Sequence, residues 1–149
     1  MNVLILGSGG REHCFAELIS KSKSCDKLFV APGNSGTSLV AENLDISPTD
    51  FDLVKGAIVQ HNIQLVVVGP EAPLVRGIHD FIISDPILKG VKVIGPKQKA
   101  AQLEGSKDFA KNFLNRHNIP TAKHKTFTNR QFEEACEYIE NNSPPYVLK

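Results

Sequence analysis

The chain has 149 residues and a formal net charge of +1, with 41% hydrophobic and 22% charged residues. A chain this long buries roughly 70% of its unfolded surface, so its core needs neither disulfides nor a structural metal. The near-neutral charge excludes a general electrostatic drive toward nucleic acid or acidic membranes. No apolar run approaches the ~20 residues of a membrane span.

The elements alternate. Asn2 to Leu6 reads as a buried parallel strand, short and aliphatic. Gly7-Ser8-Gly9-Gly10 is a turn, and Arg11 to Lys21 is a helix with Cys14, Phe15, Leu18 and Ile19 on one stripe. Lys27 to Ala31 is a second strand, followed by the turn-rich loop Pro32-Gly33-Asn34-Ser35-Gly36. Asn43 to Ile46 is a small strand. Ser47-Pro48-Thr49-Asp50 has helix-start chemistry, with Ser47 as N-cap, for a helix to His61 burying Phe51, Val54 and Ile58. Gln64 to Gly69 is the strongest strand. It runs into Pro70-Glu71-Ala72-Pro73-Leu74, then a helix to Ser84 with Val75, Ile78 and Ile82 on one face, broken by Asp85-Pro86. Val91 to Pro96 is a further strand. The alternation predicts an α/β fold, a doubly wound, mainly parallel sheet with helices on both faces.

After Pro96 the pattern changes. Lys97 to Leu103 and Lys107 to Asn118 read as helices, Lys123 to Phe127 as a strand, and Thr128 to Gln131 as a capping box. The helix it opens would bury Phe132, Ala135, Cys136 and Ile139. A last strand begins at Pro144-Pro145 and is cut short by the end of the chain, so the chain is expected to be a piece of a longer protein. Cys14, Cys25 and Cys136 are odd in number with no C-x-x-C pair, which predicts reduced thiols in a cytoplasmic protein. Cys14 and Cys136, on apolar stripes, are expected to be buried. The start of the chain shows no signal-peptide pattern.

The strand–glycine turn–helix at Val3 to His13 aims backbone N–H groups and a helix N-terminus at one point, which suits an anion. A dinucleotide fits poorly. The third glycine of G-x-G-x-x-G is replaced by Glu12, and the second strand ends in Ala31-Pro32-Gly33 rather than an acid. There is no Walker A sequence. Ligands of a doubly wound sheet sit beyond the carboxyl ends of its strands. Four such ends carry unusual loops, at Gly7, Pro32, Gly69 and Gly95-Pro96. Each alone is an ordinary turn; together on one rim they favour a small-molecule site. Glu71 could accept from sugar hydroxyls or an amine. Arg11 and His13 could contact a phosphate, although His13 equally suits a helix residue with no ligand.

Gly7-Ser8-Gly9-Gly10-Arg11-Glu12-His13, Ala31 to Thr37, Val68 to Leu74, Gln102 to Lys107 and Asn118 to Ala122 occur in an order and spacing that resembles the phosphoribosylamine–glycine ligase (glycinamide ribonucleotide synthetase) family. The resemblance covers all of this chain but only the N-terminal part of such enzymes. It implies an ATP-grasp ligase of purine biosynthesis that joins 5-phosphoribosylamine and glycine at the expense of ATP, with Mg²⁺ (or Mn²⁺). Glycine would be activated as an acyl phosphate, and the amine would displace phosphate. It implies a substrate-binding domain over residues 1–100 and the start of an ATP-grasp domain over 101–149. Gly9, Gly10, Arg11, Glu12, Asn34, Gly69, Pro70, Glu71, Ala72, Pro73 and Leu74 would line the phosphoribosylamine side. Lys107 and Lys149 would lie near ATP. The nucleotide clamp and metal ligands would lie beyond Lys149, so no metal ligand is expected within this piece. The piece is expected to be inactive by itself, with no cofactor bound. Its partners would be these small molecules, with no nucleic acid or membrane. The alternatives are a domain of another ATP-grasp ligase, or a self-contained nucleotide-binding or interaction module.

Overall fold

The structure is a computed structural model, and it describes residues 1–147. These residues form two compact units, Met1–Lys107 and a second from Asp108 onward. The first holds β1 (Asn2–Gly7), α1 (Gly10–Ser20), β2 (Lys27–Pro32), β3 (Glu42–Asn43), α2 (Phe51–Gln60), β4 (Ile63–Val68), α3 (Glu71–Arg76), α4 (Ile78–Ser84), β5 (Lys92–Ile94) and α5 (Gln98–Gly105).

The five strands make one sheet in the order β3-β2-β1-β4-β5. All of its pairings are parallel. The chain steps outward from β1 to β2 and β3, then returns past β1 to β4 and β5. The reversal falls between β1 and β4, where a doubly wound sheet opens a crevice. Gly7 pairs with Pro32, and Leu6 with both Ala31 and Val68. Three strands therefore end at one level, and their loops share a rim.

Alternation along the strands assigns the two faces. Val3, Ile5, Leu28, Val30 and Val67 pack under α1 through Ala16, with Phe15 and Ile19 alongside. Leu4, Leu6, Phe29, Ala31, Val66 and Val68 face α2, α3, α4 and α5 through Val54, Ile58, Leu74, Ile78, Ile82 and Ala101. Leu4, Ile5 and Leu6 are fully buried, each contributing about 1.5–3 kcal/mol of transfer free energy. The expected doubly wound sheet is present, covered on both faces.

Several expectations are corrected. The inward stripe of α1 is Glu12, Phe15, Ala16 and Ile19, while Cys14 and Leu18 are exposed. The wedged Glu12 side chain, described below, sets that rotation. Asp50, not Ser47, caps α2, accepting from Leu53 N–H at 3.1 Å, because Ser47 is used in the preceding turn. The small strand is Glu42–Asn43 rather than 43–46. The helix expected to start after Leu74 begins at Glu71 and is split at Gly77, whose φ of +96° breaks the helical ladder.

Lys55 Nζ donates to Asp85 Oδ2 at 2.6 Å, and Ile87 N–H donates to Oδ1 at 2.8 Å. The Lys55 hydrogen bond, then that of Ile87, holds the Asp85 carboxyl below its ordinary value. A depressed carboxyl stabilises the fold above its unfolded pKa of about 3.9, and loses that contribution as pH falls through the folded value. Asp85→Asn is therefore expected to melt below the parent at pH 7, with the gap closing as the pH drops under about 4. A gap independent of pH would remove this reading.

The second unit contains α6 (Lys107–Arg116), apart from its first residue, and α7 (Phe132–Glu140). Lys111 Nζ donates to Thr121 Oγ1 at 2.7 Å and to Ala122 O at 2.8 Å, and Thr126 Oγ1 donates to Asp108 Oδ1 at 2.8 Å. These bonds hold residues 121–126 against α6. Residues 123–127 and 144–147 are not strands, since no described residue pairs with them. Gln131 is the N-cap of α7 and reaches back to Thr128 N–H at 3.0 Å, which is half of the expected box. Phe132 is 74% exposed, and α7 buries no residue fully, Ala135 and Cys136 being half-buried. The strand expected from Pro144 runs past Val147 and there lies outside the described residues, as does Lys149.

Candidate functional site

Three loops on the carboxyl rim of the sheet are tied to one another. The first is the β1–α1 turn. Gly9 caps α1 in extended conformation and has no side chain with which to do so. Glu12, at the third helical position, reaches back instead, and its Oε2 accepts from Gly9 N–H at 2.6 Å. Glu12 is 5% exposed. The turn wraps around it. A Cβ on Gly7 would lie 2.6 Å from Glu12 Cγ, and φ at Gly7 is +128°, so only glycine serves there. Beside Gly10 there is open space. The place of the third glycine in a dinucleotide fingerprint is thus filled by a buried side chain.

The second loop follows β2. Asn34 Oδ1 accepts from Gly36 N–H at 2.7 Å and Thr37 N–H at 3.0 Å. Its Nδ2 donates across to Ser8 O at 2.8 Å. Beneath lies Thr37, with no exposed surface. Thr37 Oγ1 accepts from Asn34 N–H at 2.8 Å and lies 2.7 Å from Asn43 Oδ1. A hydroxyl has one hydrogen. Asn34 O already accepts from Asn43 Nδ2 and Ser38 N–H, so the hydroxyl hydrogen goes to Asn43 Oδ1. The ring of His13 packs on Gly36, where a Cβ would lie 2.6 Å from its Cε1, and leaves His13 Nε2 buried with no hydrogen-bond partner among the described residues. Thr37, Asn43 and Gly36 are members of this loop structure to which the sequence assigned no site role. The Asn34-x-x-Thr37 spacing, an Asx-turn signature, was the available signal.

The third loop follows β4. Gly69 N–H donates to Leu6 O at 3.1 Å, and Gly69 O accepts from Arg11 Nη1 at 2.7 Å. Glu71 and Ala72 are exposed at the start of α3, Pro70 is half-buried, and Pro73 and Leu74 are buried, Leu74 within the core. The structure therefore brings together Gly9, Gly10, Arg11, Glu12, Asn34, Gly69, Pro70 and Glu71 around the β1/β4 reversal, with Pro73 and Leu74 beneath. Lys107 is exposed at the first residue of α6. A concavity of about 360 Å³ lies at the opposite end of the sheet, lined by Ile58, Ile63, Gln64, Leu88 and Val91, and none of these loops reaches it.

A family model described as phosphoribosylglycinamide synthetase, N domain, matches residues 1–104. The chain belongs to the phosphoribosylglycinamide synthetase family. A second model, phosphoribosylglycinamide synthetase, ATP-grasp (A) domain, matches residues 105–149. Curated relatives named phosphoribosylamine–glycine ligase include that of Yersinia pestis, 46% identical over 100% of this chain and 34% of its own length. That of Haemophilus influenzae is 47% identical with the same coverage. That of Rhodopirellula baltica is 46% identical over 94% of this chain and 31% of its own length. A crystal structure of phosphoribosylamine–glycine ligase from Thermotoga maritima matches with a TM-score of 0.67 and 29% identity, over 97% of this chain and 32% of that one. The chain thus spans about a third of the length of the relatives it matches. Within this synthetase family member, no helix among the described residues is long and apolar enough to cross a membrane. Among the same residues, no group of three or more His, Cys, Asp or Glu converges that could hold a metal ion.

Proposed function

We propose that this chain provides the phosphoribosylamine-binding side of an ATP-dependent ligase joining glycine to 5-phosphoribosylamine. The observation that carries this reading is the rim at the β1/β4 reversal, in a chain matched along its whole length by the two synthetase family models. The open backbone at Gly10, at the positive end of α1, suits the 5-phosphate. Arg11 spends one N–H on Gly69 O, and its other guanidinium N–H groups are donors for the same phosphate. Asn34 fixes the wall beside it, and exposed Glu71 is placed to accept from ribose hydroxyls or the amine.

In the proposed reaction a glycine carboxylate oxygen attacks the γ-phosphorus of ATP, and the bond to ADP breaks. The amine nitrogen of phosphoribosylamine then attacks the resulting acyl carbon, loses a proton, and the carbon–oxygen bond to phosphate breaks. Mg²⁺ or Mn²⁺ would neutralise charge on the phosphates. The described residues do not offer a site for it, and no step is assigned to them through a metal. Lys107, and Lys149 outside the described residues, are proposed for the nucleotide side. The proposed division is residues 1–100 for substrate and 101–149 for the opening of the ATP-grasp region. The 149 residues alone are proposed to bind the sugar phosphate without turning over.

Titrating isotope-labelled protein with ribose 5-phosphate or glycinamide ribonucleotide tests this. The amide signals of Gly9, Gly10 and Gly69 are expected to move, and that of Gly90, at the far end of the sheet, to stay. Unmoved rim glycines would count against the reading.

A further inference from the structure

We infer that Glu12 is a positioning residue that locks the β1–α1 turn to the chain leaving β4, and that position 69 is glycine only to make room for it. The functional consequence rests on the reading above. Three facts carry the inference. Glu12 is buried, and its Oε2 accepts from Gly9 N–H at 2.6 Å. A Cβ on Gly69 would overlap Glu12 Oε1, lying 2.6 Å from Cδ and 2.8 Å from Cγ. Those three atoms, all of Glu12, are the nearest that such a Cβ would meet, and φ at Gly69 lies outside the range that demands glycine.

Gly69 thus differs from Gly7, which is bound to glycine by its backbone as well. Its requirement is set by one neighbouring side chain 57 positions earlier in the sequence. Arg11, adjacent to Glu12, holds Gly69 O at 2.7 Å. Two successive residues of α1 therefore grip one residue beyond β4, Glu12 against its Cα and Arg11 on its carbonyl. The crevice at the reversal is set before any ligand arrives, and the Gly9 N–H that Glu12 engages is committed to the scaffold. Glu12 acts on a ligand through the backbone it holds and not by touching it.

The test is a double-mutant cycle on the whole chain, read without ligand. Gly69→Ala is expected to lower the melting midpoint by about 10 °C or more, or to prevent folding. Glu12→Ala removes the three nearest atoms that such a Cβ would meet. Gly69→Ala made in the Glu12→Ala background is then expected to cost nothing, and to raise the midpoint slightly through the unfolded state. Equal losses in both backgrounds, or a double variant that fails where Glu12→Ala folds, would overturn the inference. Glu12→Gln keeps the volume and one acceptor for Gly9 N–H, so it is expected to fold like the parent and to retain its affinity for ribose 5-phosphate within about twofold. Glu12→Ala is expected to lose about tenfold or more. A Glu12→Gln protein that folds normally yet loses binding as Glu12→Ala does would overturn the positioning role. If the parent itself ignores the sugar phosphate, the functional reading falls while the Gly69–Glu12 coupling still decides the packing.

Discussion

Asn34→Ala is expected to destabilise the first unit by about 2–3 kcal/mol and to weaken binding of ribose 5-phosphate. The side chain is acceptor to two backbone N–H groups of its own loop and donor to the β1–α1 turn. Alanine leaves Gly36 and Thr37 N–H without that partner and cuts the tie to Ser8. Asn34→Asp separates the two roles. It keeps Oδ1 for both N–H groups, so its loss of stability is expected to be about 1 kcal/mol. It puts a negative charge on the rim proposed to bind the phosphate, so affinity is expected to fall about tenfold or more. Chemical denaturation and a binding titration on the three proteins check this. An Asn34→Asp protein that binds as tightly as the parent would show that the phosphate lies elsewhere.

Thr37→Val is the second large effect. Valine has the shape of threonine, so packing under the loop survives while the hydroxyl goes. Asn34 N–H and Asn43 Oδ1 then lose their partner at a position with no exposed surface. A loss of about 2–4 kcal/mol is expected, since each unpaired buried polar group costs about 1–3 kcal/mol. Thr37→Ser keeps the hydroxyl and removes one methyl, for an expected loss of about 1 kcal/mol. Urea midpoints compare them. Equal losses for valine and serine would assign the cost to the methyl and dismiss the hydrogen-bonded knot.

The strands were legible because a parallel sheet covered on both faces demands unbroken aliphatic runs, and Val3 to Leu6 and Leu65 to Val68 are such runs. The rim was legible too, since glycine and proline cluster where those runs stop. The rotation of α1 was not. Periodicity chose Cys14 and Leu18 as inward, but the helix turns on a buried glutamate that no apolar pattern would nominate. Ser47 and Asp50 both satisfy a capping pattern, and only the use of Ser47 in its own turn decides between them. In the second unit, Lys123 to Phe127 reads as a strand between two helical stretches but has no partner strand among the described residues. At the site, sequence showed the loops and hid their ties. The bonds from Asn34 to Ser8, Arg11 to Gly69 and Thr37 to Asn43 join residues that only the fold makes neighbours.

The sheet also bears on how the molecule behaves among copies of itself. Its outermost strands are its shortest: β3 has two residues, and β5 has three and begins with exposed Lys92. An outer strand offers its unpaired backbone to any passing extended chain, and the hazard grows with its length and flatness. The long strands β1, β2 and β4 are the aggregation-prone ones by composition, and each has a neighbour on both sides. The order that opens a crevice at the centre of the sheet also leaves only a few ladder positions at either margin for another molecule to extend.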